Sequence, residues 1–123
     1  MTPDNYRPLT PTRTGSPDSD DTAAVYVLIL TYRAPLSAID ATLPEHRRFL
    51  DHFFATGEFL ASGPRQPRTG GVILASVASR ARVDELIASD PFTQQQLAEY
   101  QVVRFTPTRG PLALPLREPT TAT

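Results

Sequence analysis

The sequence contains no cysteine, no tryptophan and no lysine, and it has only two histidines among its 123 residues. Without cysteine the chain cannot form a disulfide, a thiolate metal site or a thiol nucleophile. Without lysine, lysine Schiff-base chemistry and phosphate binding by a P-loop lysine are excluded. Histidine, the carboxylates and the hydroxyl groups therefore remain as the side chains that could carry chemistry.

Strong net charge and long apolar runs are absent as well. A net charge of −1 does not provide the excess of positive charge that binds nucleic acid or an anionic membrane. The apolar run at residues 25–30, even with the two alanines before it, is far too short to span a bilayer. The N-terminus lacks the basic start and apolar segment of a signal peptide. The sequence thus predicts a cytoplasmic protein that binds neither nucleic acid nor membrane.

Composition divides the chain into one domain and two tails. Residues 1–22 are rich in Pro, Thr, Ser and Asp and have little to bury, so they are predicted to be a disordered N-terminal tail. Residues 109–123 are predicted to be a Pro-rich C-terminal tail, with the alternative that its leucines lie extended on a partner. Residues 23–108 are long enough for one domain with a modest core.

Hydrophobic periodicity within residues 23–108 predicts a strand, a helix, two strands, a helix and a strand. The predicted strands are residues 24–32, 58–61, 71–78 and 100–106, and the predicted helices are 42–56 and 80–89, with a loop at 33–41 and one further helical turn within 93–99. This order is the ferredoxin-like α+β arrangement, in which both helices cover one face of an antiparallel sheet.

The first strand carries apolar side chains on both of its faces. Val25, Val27 and Ile29 alternate with Tyr26, Leu28 and Leu30. A two-layer fold covers only one face of its sheet, so the other face would remain open. We therefore expect a homodimer in which the open sheet face packs on a second copy of the chain.

The two histidines fall on opposite faces of the first predicted helix. Thr42 and Glu45 have the spacing of a capping box, and Pro44 is tolerated in a first turn. At about 100° per residue, His46 lies on the apolar face and His52 on the polar face. His46 should thus point toward the core or a cleft, whereas His52 should be solvated and inert. Two histidines placed this way make no metal site, and none is expected.

Asp90 follows the apolar stripe of the second predicted helix, and Pro91 ends that helix. In a ferredoxin-like fold the helices run antiparallel, so the start of the first lies near the end of the second. His46 and Asp90 are therefore predicted to meet. Two plainer interpretations stand beside this one: His46 as a core histidine bonded to the backbone, and Asp90 as a cap of the turn that follows it.

Several motifs resemble those of a known family. They are Pro44-Glu45-His46, Ser62-Gly63-Pro64, Gly70-Gly71-Val72 and Asp90-Pro91-Phe92. Over residues 24–107 the chain resembles the YciI-like (YCII-related) proteins, which are small dimeric α+β barrels of ferredoxin-like fold. The resemblance implies that His46 and Asp90 form an active-site dyad. Two departures are Leu43, where many members carry Arg, and Gly71, where many carry Ser.

A His–Asp dyad suits proton transfer: Asp90 would orient the imidazole, and His46 would act as general acid or base. The predicted function is a small cofactor-independent enzyme of isomerase, lyase or dehydrochlorinase type that acts on a small molecule. Candidate substrate-binding residues are Ser62, Gly63, Phe92 and Arg65, with Arg68 as another possible anion-binding group. Alternatively, Phe92 and Tyr100 are core residues, and the arginines, including Arg47 and Arg48, are simply solvated.

Two other functions stay open at this stage. One is a non-catalytic small-molecule-binding or accessory domain of the same dimeric fold. The other is an oxygenase-like relative that acts on an aromatic polyketide without a cofactor.

Overall fold

The computed structural model describes residues 24–111 and residue 113. The tail predicted for residues 1–22 lies outside this range, as does most of the predicted C-terminal tail. Within the range, the elements are β1 Val25–Tyr32, α1 Leu36–Ala55, β2 Phe59–Pro64, β3 Gly70–Ser76, α2 Arg80–Ala88, α3 Pro91–Gln94 and β4 Ala98–Phe105. The strands form an antiparallel sheet in the order β2-β3-β1-β4. This confirms the predicted ferredoxin-like α+β fold.

Helix α1 begins six residues earlier than predicted. It starts at Leu36 after Pro35, which makes no side-chain cap, and Pro44 lies inside it. The predicted capping box at Thr42 and Glu45 was therefore wrong. An interior proline costs a helix about 3 kcal/mol, because it removes one N–H and crowds the preceding turn. The helix nevertheless extends to the N-terminal side of Pro44. Ile39 and Thr42, which precede this proline, are buried, and their packing stabilises the first turns of α1.

The second half of the fold follows the prediction more closely. The Ser79 hydroxyl caps α2 by accepting a hydrogen bond from the Arg82 backbone N–H at 3.2 Å. The further helical turn exists as α3, but it begins at Pro91, two residues before the predicted segment. After α3 the chain reverses through Gln96, whose φ of 60° is rare for a residue with a side chain. The turn leads directly into β4.

The core lies between the sheet and the helices. Side chains alternate across a strand, so Tyr26, Leu28 and Leu30 of β1 face the helices and are buried. The main core cluster is Tyr26, Leu28, Phe49, Phe59, Ile73, Ala75, Val83 and Leu86. A second cluster beside α3 is Leu30, Ile39, Phe92 and Ala98. The second cluster is the one that borders the candidate site.

The opposite face of the sheet is apolar and partly open. Val27 of β1 is opposite Val103 of β4 and Leu74 of β3 in the strand register. Val27 and Leu74 are half-buried, whereas Val103 is 41% exposed and Phe105, on the same face, is 51% exposed. In the described ranges all three helices lie on the other side of the sheet. None of these helices has the length and apolar character needed to cross a membrane.

Candidate functional site

The buried face of α1 places His46 against the rest of the protein. Ile39, Thr42, His46 and Phe49 are the buried residues of this helix, and their spacing of three or four residues is that of one helical face. His46 is 7% exposed, whereas His52 is exposed, as the helical pattern predicted. His46 lies in the third turn of α1, not in the first turn as predicted, because the helix begins earlier.

Asp90 lies at the junction of α2 and α3 and has no exposed surface. Its Oδ1 accepts a hydrogen bond from the Phe92 backbone N–H at 2.9 Å and is 2.9 Å from His46 Nδ1. The predicted meeting of His46 and Asp90 is therefore confirmed. The plainer interpretation of Asp90 also holds, since the same carboxylate caps α3. Capping fixes the carboxylate, and the fixed carboxylate then orients the imidazole.

A third side chain, Tyr100, completes the hydrogen bonding of this carboxylate. Its hydroxyl donates to Asp90 Oδ2 at 2.5 Å. Burial of the phenol, the charge of Asp90 and this hydrogen bond raise the pKa of Tyr100 well above its usual range. Tyr100 therefore remains a neutral donor at any physiological pH.

The donors around Asp90 define the tautomer of His46. Both oxygens of Asp90 act as acceptors, Oδ1 toward the Phe92 backbone N–H and Oδ2 toward the Tyr100 phenol. His46 Nδ1 must then carry the hydrogen that it shares with Asp90. Nε2, on the opposite edge of the ring, has no hydrogen-bond partner among residues 24–111. It is thus the nitrogen left for a molecule beside the ring.

Aromatic packing restrains the imidazole plane. The rings of His46 and Phe92 are stacked, with centroids 4.2 Å apart and planes inclined by 13°. Phe49 lies 5.6 Å from the imidazole at a tilt of 31°. Phe92 is buried and does not line the cavity described next. The structure thus places Phe92 against the face of the imidazole and outside the lining of that cavity.

A cavity of about 460 Å³ opens beside His46, between α1 and the end of the β2–β3 hairpin. Its lining comprises Leu30, Tyr32, Asp40, Leu43, His46, Arg47, Leu50, Ser62, Gly63, Pro64, Arg68, Gly70, Gly71, Val72 and Ile73. The volume is that of a typical small-molecule site, and the walls are mainly apolar. Ser62 and Gly63 were expected at the site, and they do line this cavity.

The arginines of the hairpin loop are engaged elsewhere. Arg65 donates to the Thr31 hydroxyl at 2.9 Å and to the Leu30 carbonyl at 3.5 Å, and it does not line the cavity. Arg68 does line it, but its guanidinium is paired with Asp40 at 2.6 Å. The structure therefore brings Ser62 and Gly63 to His46 and leaves Arg65 outside.

Sequence reasoning missed two residues of the site, Tyr100 and Arg47. Tyr100 was predicted to be a core residue, and alternation along β4 can show which face it occupies but not which group its hydroxyl reaches. Arg47 was assigned to a solvated face, yet it lines the cavity. The helical spacing from Asp40 to Leu43 to Arg47 is the signal that could have identified Arg47, but the prediction of a loop at residues 33–41 hides it.

A metal site needs several histidine or carboxylate side chains that converge on one point. Within residues 24–111 and 113, no three histidine, aspartate or glutamate side chains converge as metal ligands. The site that these residues do form is a histidine with one oriented nitrogen at the wall of a cavity. Such a site can take or give a proton.

One solved structure has a similar fold. It is 5-chloro-2-hydroxyhydroquinone dehydrochlorinase (TftG) from Burkholderia phenoliruptrix AC1100 in complex with 2,5-dihydroxybenzoquinone, with a TM-score of 0.58 and 18% sequence identity, covering 70% of this chain and 95% of that chain. At this identity the likeness concerns the fold. No curated protein sequence matches this chain. The YCII-related domain matches residues 25–106. Because this match spans more than half of the sequence, the chain belongs to the YCII-related domain family.

Proposed function

We propose that this protein is a small cofactor-independent enzyme of lyase or isomerase type, in which His46 moves a proton on a small molecule held in the cavity. The observation that supports this most is the buried pair of His46 and Asp90, 2.9 Å apart, at the wall of a ligand-sized cavity. Asp90 binds one ring nitrogen, and the other nitrogen remains available.

Each part of the site has a role in this proposal. Asp90 fixes the tautomer of His46 and stabilises the imidazolium that forms when Nε2 takes a proton. Tyr100 and the Phe92 backbone N–H hold the carboxylate in place. The stacked Phe92 ring restrains the imidazole, so the histidine is positioned before substrate binds.

Elimination of chloride is one reaction that such a base can perform. Nε2 removes a proton from the substrate, the electron pair left behind forms a double bond, and chloride leaves with its bonding pair. The imidazolium then releases the proton to water. The name of the structural neighbour, a dehydrochlorinase, makes this reaction the first to test on the present chain. General acid–base catalysis by one residue typically increases the rate of the catalysed step about 10²–10⁴-fold.

The test compares the two histidines of the chain. The wild-type protein is incubated with 5-chloro-2-hydroxyhydroquinone, and chloride release is measured. His46→Asn keeps an amide N–H near the position of Nδ1 and removes the base, so turnover should fall by at least about 100-fold. His52→Asn, on the exposed face, should retain wild-type turnover. Circular dichroism melting of both variants checks that the fold is intact.

A folded His46→Asn protein with full turnover would contradict the assignment of His46 as the base. If 2,5-dihydroxybenzoquinone binds but no halogenated or enolisable ring substrate is ever consumed, the second candidate function is favoured. That candidate is a non-catalytic small-molecule-binding or accessory domain. Its specific support is the complete hydrogen bonding of Asp90, which would stabilise a ligand cavity whether or not chemistry takes place there.

We further propose that the protein is a cytoplasmic homodimer that pairs through the open sheet face. The exposed Val103 and Phe105 on this face support the proposal. Analytical ultracentrifugation should find twice the chain mass at micromolar concentration. Val103→Asp should give monomers because it places a charge within the apolar interface. Ala81→Asp, an exposed change on the helix side, should leave the dimer intact. A wild-type monomer at this concentration would disprove the pairing.

A further inference from the structure

We propose that the cavity binds a small ring-bearing carboxylate, and that Arg47 is the residue that recognises its charge. This inference rests on the proposed function, because it concerns the ligand of the same site.

Arg47 lies on the cavity side of α1. The residues of this helix that line the cavity, His46 apart, are Asp40, Leu43, Arg47 and Leu50, at intervals of three and four residues. That spacing describes one continuous stripe along the helix. Arg48 is also exposed, but it lies outside this stripe and does not line the cavity. The two neighbouring arginines therefore differ in the one property that matters for ligand binding.

The charges around the cavity leave one cation uncompensated. Arg68 and Asp40 neutralise each other at 2.6 Å. The oxygens of Asp90 lie behind His46 and are directed at His46, Phe92 and Tyr100. Arg47 forms no ion pair or hydrogen bond with any residue in the described part of the chain.

A cavity with an unpaired guanidinium and no unpaired carboxylate favours an anionic ligand. The planar fork of an arginine donates two parallel hydrogen bonds to a carboxylate, which makes this pair more specific than a point charge would be. The Ser62 hydroxyl offers a further polar contact on the opposite wall. The charged end of the ligand is thus expected at Arg47.

The remaining walls fit an apolar ring. Leu30, Leu43, Leu50 and Ile73 line the cavity together with the ring of Tyr32. His46 directly precedes Arg47, and adjacent residues of a helix project about 100° apart, so they contact different parts of one ligand. A carboxylate at Arg47 would leave the ring against the leucines and within reach of the free imidazole nitrogen.

The experiment uses two probes of nearly equal shape, benzoate and benzamide, which differ in charge. Binding to the full chain is followed by the NMR signals of the His46 ring. Benzoate should bind at least about tenfold more tightly than benzamide, and added salt should weaken only benzoate. Arg47→Gln should reduce benzoate affinity at least about fivefold and leave benzamide unchanged. Arg48→Gln should leave the affinities of both probes unchanged.

Three results would overturn the inference: equal affinities for the two probes, equal effects of Arg47→Gln and Arg48→Gln, or no binding of either probe at millimolar concentration. Failure here is distinguishable from failure of the proposed function. If His46→Asn still abolishes chloride release while Arg47→Gln changes nothing, the proton-transfer function stands and the ligand class is wrong. If Arg47→Gln weakens benzoate while no substrate is ever consumed, the ligand class stands without catalysis.

Discussion

Replacing Asp90 with alanine is expected to lower the free energy of unfolding by about 3–5 kcal/mol, because it removes one partner of a buried polar network. Three donors would lose their acceptor at once: the His46 imidazole, the Tyr100 hydroxyl and the Phe92 backbone N–H. Each buried donor without a partner costs about 1–3 kcal/mol. Urea denaturation of the wild type and the variant, followed by circular dichroism, measures the difference.

Two further variants make the Asp90 result interpretable. Tyr100→Phe removes the hydroxyl that donates to Asp90 Oδ2. We expect this variant to lower the free energy of unfolding by about 1.5–3 kcal/mol, which is less than the loss in Asp90→Ala. Asp84→Ala removes a carboxylate from the surface of α2, where it pairs with Arg80 at 2.9 Å and both side chains are more than half exposed. Exposed pairs contribute little, so this control should change stability by less than about 0.5 kcal/mol.

If Asp90→Ala is no more destabilising than Asp84→Ala, the network does not hold the α2–α3 junction together. The carboxylate would then be dispensable for the fold. A stable Asp90→Ala protein would also be the best reagent for testing catalysis, because turnover could be measured without any loss of structure. The expected large loss instead means that Asp90→Asn, which keeps the size and one acceptor oxygen, is the variant to use in activity assays.

The His46–Asp90 contact could be predicted from the sequence because it depends on features that local patterns determine. Helical periodicity placed His46 on a buried face, and Pro91 marked the end of α2 beside Asp90. The details of the contact depended on tertiary packing. Pro44 suggested a helix start, but the burial of Ile39 and Thr42 extends α1 past this proline toward the N-terminus. Propensity is a weak guide wherever packing of this kind opposes it.

The polar partners of the site were harder to predict than its position. Thr42 was expected to cap a helix, yet its hydroxyl donates to Gln95 Oε1 at 3.1 Å and links α1 to the end of α3. Tyr100 reaches Asp90 from a strand on the far side of the core. Contacts between side chains of different helices and strands depend on the length and direction of each side chain. The pattern of polar and apolar residues in a single sequence specifies neither how far a side chain reaches nor in which direction it points.

Gly70→Ala is expected to be the most damaging single-methyl substitution in the described part of the chain. A Cβ at Gly70 would lie 1.8 Å from the Leu30 carbonyl oxygen and 2.7 Å from its carbonyl carbon. Both are backbone atoms of the central strand β1, where Gly70 is opposite Thr31 in the ladder. No rotamer change can relieve this clash, so β1 and β3 must separate. We expect a loss of about 4 kcal/mol or more, the range reached only by severe disruptions.

The neighbouring glycines provide a graded control for this prediction. A Cβ at Gly63 meets nothing within 4 Å, so Gly63→Ala should change stability by less than about 1 kcal/mol. A Cβ at Gly71 would lie 3.1 Å from the Gly63 carbonyl oxygen, and edge strand β2 can shift to accommodate it at a cost of about 1–3 kcal/mol. Urea denaturation should therefore rank the variants Gly63→Ala, Gly71→Ala and Gly70→Ala in order of increasing damage. Equal stabilities would mean that β1 and β3 are not in such close contact. Since Leu30 and Gly70 both line the cavity beside His46, equal stabilities would also mean that this wall of the cavity is less closely packed.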